Sequence, residues 1–440
     1  MTPREWLSIL GVLAGLLVGL PVIKACASRF GSSPEFARKA VHVLMGLICI
    51  SFPWVFERPQ PVWLLAAVAT FSLLAVRTVP LLRSGVGSAL HGIKRPSYGE
   101  VLFAPAVAAV FHLSGGDPIP YGIPIGILTL ADAAGALAGT RWGKRHYGCG
   151  EGFKSIEGSG VFLFTAFLCV FVPLALGGTT GLATALWIAA ILATLAMMAE
   201  GFSDRGFDNL VLPLGSVLVL ERLLPLADAA LAGRFAVLVL VLALVLTGAR
   251  WSTLSGAALL GSALLGYGCA ILADWRYALP PSAVFICHVV VTRKHRLTKA
   301  FDHRLDAVLS HAIACLPWVV GYGLGGLSFG TGLAGISFAM VVQLALLDVA
   351  TREAVPHLAP KALRSTLKGG LIAGVPGLVW LAADISKLLL PFAATLIFTL
   401  VLASLIKGIS RKCEGHATCL WTIQGLLALI GSSPALLYQP

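Results

Sequence analysis

Residues 119–139 read Ile119-Pro-Tyr-Gly-Ile-Pro-Ile-Gly-Ile-Leu-Thr-Leu-Ala-Asp132-Ala-Ala-Gly-Ala-Leu-Ala-Gly139. At a rise of about 1.5 Å per residue, this run can cross a hydrocarbon layer about 30 Å thick. It carries one side chain that is charged at neutral pH, Asp132. A carboxylate at that depth costs on the order of 3 kcal/mol on insertion scales, so it needs a partner and usually a function. A basic, glycine-punctuated stretch follows at once, Thr140-Arg-Trp-Gly-Lys-Arg-His-Tyr147 and then Lys154-Ser-Ile-Glu-Gly-Ser159. A carboxylate beside lysines, glycines and hydroxyls has the chemistry of a magnesium and phosphate site at a membrane surface.

The rest of the chain repeats the first half of that pattern. The 440 residues are 58% hydrophobic and only 12% charged, with a mean hydropathy of +0.89. A soluble domain carries roughly 25% charged residues. Apolar runs recur from residues 6–24 to 418–438, and no polar stretch is long enough for a separate soluble domain. The expected fold is an all-α, polytopic integral membrane helical bundle of about 14–16 transmembrane segments. The first run follows Met1-Thr-Pro-Arg-Glu5 directly, and Pro21, Ile23 and Lys24 interrupt any small-residue cleavage pattern. It reads as a retained helix rather than a signal peptide.

The connections alternate in character. Basic ones, such as 25–39, 83–99, 140–158, 293–306 and 407–417, alternate with short, nearly uncharged ones such as Ser114-Gly-Gly-Asp117 and Gly325-Gly-Leu-Ser328. The positive-inside rule then places the basic set in the cytoplasm and the N-terminus outside. All the loops with candidate chemistry fall on that cytoplasmic face. The net charge of +12 suits loops against anionic lipid and equally an anionic substrate. Most of the nine cysteines lie in apolar runs as small hydrophobes. The cluster Cys413-Glu-Gly-His416-Ala-Thr-Cys419 matches no standard zinc spacing.

Four polar groups precede a boundary placed near residue 230. In Ala37-Arg-Lys-Ala-Val-His42, Arg38 and His42 lie four apart and share a helix face, as an anion clamp or as an interfacial anchor. In Arg95-Pro-Ser-Tyr-Gly-Glu100, the acid opens an apolar helix and suits an N-terminal cap. Around Asp132 the small residues permit close helix approach or access of a ligand to the backbone. Beyond it, Gly143 and Lys144 resemble a short phosphate loop. Lys154, Ser155, Glu157, Gly158 and Ser159 stand at a helix start, whose free amides suit a phosphate. In Glu200-Gly-Phe-Ser-Asp204-Arg-Gly-Phe-Asp208-Asn209, the last pair is either an N-cap or a pair of oxygen ligands for magnesium.

Taken in order, these strings resemble the polyprenol kinase family of phytol, farnesol and dolichol kinases, distant relatives of phosphatidate cytidylyltransferases. The resemblance covers about residues 35–225 and rests on Arg38-Lys39…His42, Ser97-Tyr-Gly-Glu100, Asp132-Ala-Ala-Gly…Gly143-Lys144, Lys154-Ser-Ile-Glu-Gly-Ser159 and Asp208-Asn-Leu-Val-Leu-Pro213. It implies a membrane kinase that moves the terminal phosphoryl group of CTP, or of another nucleoside triphosphate such as ATP, to an isoprenoid alcohol such as phytol, farnesol, geranylgeraniol or dolichol. Asp132 and Asp208 are then expected on Mg2+, with Glu157 as a further ligand or orienting base, and Lys144 and Lys154 complete the catalytic set. Arg38, Lys39, Gly143, Ser155, Gly158 and Ser159 are expected at the nucleotide phosphates, and His42 and Glu100 at the acceptor. The expected partners are the alcohol in the bilayer, the nucleotide and membrane lipids, without nucleic acid. The expected location is a bacterial inner membrane with the site on its cytoplasmic face.

Residues 1–230 would form this kinase-like domain, and 231–440 a second helical membrane domain. Leu254-Ser-Gly-Ala-Ala-Leu-Leu-Gly261, Val291-Thr-Arg-Lys294 and Asp348-Val-Ala-Thr-Arg-Glu353 resemble the family that includes phytyl-phosphate kinases, with eroded acidic and glycine motifs. A structural or substrate-holding role is expected there. Two other readings stay open: cytidylyl transfer to phosphatidate, and an ion-coupled transporter in which Asp132 relays the ion.

Overall fold

In lipid every backbone N–H and C=O must find its partner within the protein, so an apolar run becomes a helix. The computed structural model describes residues 1–29, 33–78, 98–149, 152–178, 180–203, 205–295, 305–350, 358–412 and 417–438. The protein is all-α and polytopic. Among the described residues nine helices are long and apolar enough to span a membrane, and Pro59–Ala75, Gly99–Leu113 and Gly256–Leu272 are shorter apolar helices. The larger number expected from sequence includes runs that form shorter helices, such as Pro34–Ile50, Asp208–Leu223 and Leu279–His295, and one run that is not a single helix. Residues 370–384 form a π turn, a single α turn and a 3-10 turn in succession.

The chain divides into two compact units, Met1–Phe235 and Ala236–Pro440. The first unit contains α1 (Pro3–Arg29), α2 (Pro34–Ile50), α3 (Pro59–Thr78), α4 (Gly99–Leu113) and α5 (Pro118–Gly126). A π-helical turn, Ile127–Ala131, leads from α5 into α6 (Asp132–Trp142). A β-hairpin follows, β1 (His146–Cys149) paired antiparallel with β2 (Gly152–Ser155). Then come α7 (Ile156–Leu176), α8 (Leu182–Phe202) and α9 (Asp208–Leu223), before α10 (Asp228–Ala249).

The stretch Pro118–Trp142 is the most enclosed candidate span of this unit. Tyr121, Ile123, Ile125, Ile127 and Leu128 are fully enclosed there. The surrounding core holds Phe103, Val107 and Phe111 of α4 with Phe52, Phe56 and Val217. Lipid tails are as apolar as leucine, so close packing rather than water exclusion holds such helices together. Small residues supply that closeness between α6 and α7. A Cβ on Gly158 would stand 2.8 Å from the Gly135 carbonyl oxygen, and one on Gly135 would stand 2.9 Å from Phe162 Cβ. A charge placed on the enclosed central helix therefore faces protein, not lipid.

The second unit contains α11 (Gly256–Leu272), α12 (Leu279–His295), α13 (Leu305–Gly323), α14 (Phe329–Ala350), α15 (Leu358–Gly369), α16 (Ile385–Lys412) and α17 (Ala417–Ser432). Its central helix is α14, most of whose residues are buried. Polar side chains in this interior bond to one another, as Gln343 Nε2 to Ser310 Oγ at 2.7 Å and Trp318 Nε1 to Ser432 Oγ at 2.9 Å. Of the motifs singled out here, Asp348 accepts from the Ser365 hydroxyl. Thr351, Arg352, Glu353, Cys413 and His416 lie outside the described residues.

Candidate active site

The site is built on α2 and on the π turn before Asp132. Helix α2 starts where Ser33 accepts from the Phe36 amide and Pro34 supplies a fixed first φ. Its outer face carries Arg38, bound to Glu35 at 2.6 Å in an exposed pair. Its inner face carries Lys39 and His42, three apart. Lys39 Nζ reaches Asp132 Oδ2 at 2.7 Å, with the two residues only 3% and 6% exposed. His42 Nε2 lies 3.4 Å from the same oxygen and 2.9 Å from the Leu128 carbonyl. A carbonyl can only accept, so Nε2 carries the proton and donates there.

That carbonyl is available because of local backbone chemistry. The turn over Ile127–Ala131 is wide, and the Asp132 amide bonds to Ile127 five residues back. Such π turns concentrate at functional sites. Gly46 lets α2 approach this turn, since a Cβ there would fall 2.0 Å from Thr129 Oγ1.

The opposite wall comes from the hairpin and from α8 and α9. In the hairpin register Tyr147 pairs with Lys154 and Cys149 with Gly152. Successive residues of a strand face opposite ways, so Cys149, Tyr147 and Lys154 share the inner face and Phe153 points out. Lys154 Nζ reaches Glu200 Oε1 at 2.7 Å, Cys149 Sγ reaches the Ser203 carbonyl at 3.2 Å, and Tyr147 and Ser159 share a hydrogen bond of 2.8 Å. Burial works against the Lys154 charge, but Glu200 and then Asp208 outweigh it and hold the ammonium above its ordinary range.

Asp208 opens α9 after a tight turn in which Arg205 has φ 53° and Gly206 φ 86°. A side chain in that region costs on the order of 1 kcal/mol, and this kind of strain gathers at functional sites. The turn is tied to the start of α4: the Tyr98 amide donates to the Arg205 carbonyl at 2.8 Å, and Asn209 Nδ2 donates to the Gly99 carbonyl at 2.8 Å. Asp208 interacts electrostatically with Asp132, Lys154 and Lys39, and Glu200 with Lys154, Asp132 and Asp208. Three carboxylates and two ammonium groups, together with His42, thus form one electrostatic cluster, buried at Lys39 and Asp132 and half-buried at the other four.

The structure brings Lys39, His42, Asp132, Lys154 and Asp208 into this cluster and places the other expected residues around it. Glu157 is half-buried, and its carboxylate accepts from the Lys144 amide at 3.0 Å and the Arg145 amide at 3.3 Å. Ser155 caps α7 by accepting from the Gly158 amide at 3.0 Å. The space beside Gly143 and Gly158 is filled by protein, because a Cβ on either would meet Ser155 within 3.0 Å. The side chains of Lys144 and Glu100 are exposed, and Asp204 lies outside the described residues. Two features escaped sequence reasoning. Glu200, at the end of an apolar run, is the partner of Lys154. Lys39 rather than Arg38 meets Asp132, which Glu35 three residues before Arg38 could have signalled by offering Arg38 a surface partner.

A divalent cation can be tested against this donor set. Among the described residues no group of three or more His, Cys, Asp or Glu side chains stands ready to hold a metal ion. Asp132 Oδ2 accepts from Lys39 and lies 3.4 Å from His42 Nε2, and its Oδ1 takes no hydrogen bond from a described residue. Magnesium commonly takes only one or two protein carboxylates and completes its shell with water and substrate phosphates. Asp132 and Asp208 fit that requirement, whereas Glu157 is occupied by backbone amides.

No family model matches the chain, and no solved structure matches it. Among curated proteins, a phytol kinase from Synechocystis sp. is 31% identical over 221 residues, which are 49% of this chain and 90% of that protein.

Proposed function

The chain belongs to the polyprenol kinase-like family that includes phytol kinase, and on that premise we propose that it phosphorylates an isoprenoid alcohol held in the bilayer, with a nucleoside triphosphate as donor. The acceptor is of the class of phytol, farnesol, geranylgeraniol or dolichol, and the donor is CTP or ATP. The observation that carries this reading is the cluster of Asp132, Asp208 and Glu200 with Lys39 and Lys154, at the margin of helices that span the membrane.

Phosphoryl transfer requires the charge on the transferring group to be neutralised and the nucleophile to be aligned. Asp132 and Asp208 would hold Mg2+, which when bound shields the charge of the phosphate oxygens. Lys154, kept protonated by Glu200, supplies a fixed positive charge at the hairpin. Lys39 and His42 fix the orientation of Asp132 from the other side. The hydrocarbon tail of the acceptor stays among the helices while its hydroxyl reaches the cluster, so the site belongs at a membrane margin. A bacterial inner membrane with the cluster on its cytoplasmic face fits a nucleotide donor and the basic loops.

The test is an assay of membranes with γ-labelled CTP or ATP, magnesium and a panel of the four alcohols. Label in a lipid monophosphate, lost in Asp132→Asn with normal expression, is the expected result. Lipid labelled from α-labelled but not γ-labelled CTP would replace this reading with cytidylyl transfer. Full activity of Asp132→Asn would remove the role of that carboxylate.

A further inference from the structure

Three helix ends of the second unit meet at Trp251. Helix α10 ends at Ala249, α12 ends at His295, and α11 begins at Gly256 behind its cap Ser255. Arg250 Cζ lies 3.7 Å from the centroid of the Trp251 ring, and Arg293 Cζ lies 4.6 Å from it. The two guanidinium carbons are therefore within about 8 Å of each other, where like charges repel. Both side chains are exposed, and among the described residues no carboxylate stands at ion-pair distance from either. Stacking on an indole face holds each cation in place and leaves its N–H fork free to bind an anion. Beside them lie the buried hydroxyls of Ser252 and Thr253, at 3.2 and 3.4 Å from His288 Nε2.

The surface beneath the arginines has the opposite character. Leu246 is one turn before Arg250, and Val290 and Ile286 are one and two turns before Arg293. They are 69%, 57% and 46% exposed. Residues three or four apart share a helix face, so an apolar strip runs down from the cations on each helix. The two helices touch closely here, because a Cβ on Gly248 would stand 2.9 Å from Phe285 and 3.0 Å from Val289.

We propose that Arg250, Arg293 and Trp251 form a binding site for the phosphate group of a membrane lipid, with its hydrocarbon chain along Leu246, Val290 and Ile286. Paired guanidinium forks match phosphate oxygens, and a bound anion relieves the repulsion between the two arginines. A water-soluble phosphate would make no use of the apolar strip. The phosphate comes either from a phospholipid headgroup or from a phosphorylated isoprenoid. Only the second source rests on the proposed kinase reading.

The experiment is native mass spectrometry of the full-length protein in neutral detergent, titrated separately with four lipids. Dioleoylphosphatidylglycerol and geranylgeranyl monophosphate carry phosphate, and dioleoylglycerol and geranylgeraniol are their phosphate-free counterparts. Retention of the phosphate-bearing lipids only is expected, and the tighter of the two names the source. Arg250→Gln/Arg293→Gln should weaken retention at least about tenfold, and the double lysine variant should fall between, because lysine loses the planar fork. Where the glutamine pair lowers the yield of folded protein, Arg293→Gln alone serves the same comparison. Equal retention by wild type and variant, or equal retention of the phosphate-free lipids, would overturn the site.

Discussion

Lys39 Nζ and Asp132 Oδ2 stand 2.7 Å apart across 93 residues of sequence, each on a side chain less than a tenth exposed. The pair joins α2 to the central helix of its unit and fixes one wall of the candidate site. Removing one partner of a buried pair leaves an uncompensated charge and costs about 3–5 kcal/mol, whereas replacing both by apolar groups is often neutral. Lys39→Met and Asp132→Leu should therefore each lower the melting temperature of the detergent-solubilised protein, and the double variant should regain most of the loss. Phosphoryl transfer should stay absent in the double variant. Recovery of activity along with stability would make the pair purely structural.

The approach of α2 depends on Gly46. An added Cβ would fall 2.0 Å from Thr129 Oγ1 and 2.3 Å from its Cγ2, well inside contact distance, so Gly46→Ala must move α2 or the π turn. Misplacement of a charged group by about 1 Å can cost on the order of a hundredfold in rate. Activity of Gly46→Ala should fall at least tenfold with the protein still folded. Thr129→Gly in the same chain should restore part of it, less the roughly 1 kcal/mol that a glycine costs inside a helix. No rescue would mean that the contact does not set the site.

Glu200 and Lys154 make a prediction about pH. The folded-state value of Lys154 is raised above its ordinary 10.5 by Glu200 and Asp208 against the opposing effect of burial. A raised lysine stabilises the fold fully below its unfolded value and loses that contribution as pH rises through the folded one. Wild-type stability should thus show no loss from Lys154 until pH exceeds about 10.4, the ordinary lysine value. In Glu200→Gln the largest influence against burial is gone and Asp208 is the main one left. The alkaline limb of both stability and activity should then move to lower pH. An unmoved limb would detach Glu200 from Lys154 in function.

The membrane class and the central carboxylate were legible in the sequence because they follow from composition and from one charge in an apolar run. Which cation meets that carboxylate was not, since Arg38 and Lys39 both lie within a helical turn of His42 and the rotation of α2 decides between them. The glycines around Asp132 allowed two readings, close helix packing or room for phosphate. Only the positions of Ser155, Phe162 and the Gly135 carbonyl show that protein fills the space. The hairpin was illegible for another reason. It is short, and the inner placement of Cys149 and Lys154 depends on contacts with α8 more than fifty and forty residues away.

The acids can be ranked by what they touch. Glu157 accepts two backbone amides at the exposed base of the hairpin, whereas Asp208 faces Asp132, Lys39 and Lys154 inside the cluster. Glutamine keeps an acceptor oxygen for the amides, so Glu157→Gln should retain activity within a few-fold of wild type. Asp208→Asn keeps shape and removes the charge that a magnesium-bound triphosphate would use. Its turnover should fall by at least about a hundredfold, a loss of transition-state stabilisation near 2.7 kcal/mol. Magnesium titration sharpens the comparison: Asp208→Asn should need a higher concentration for half-maximal rate, and Glu157→Gln should not. The reverse order, with Glu157→Gln the more damaging and the more dependent on magnesium, would move the cation away from the cluster and onto the hairpin.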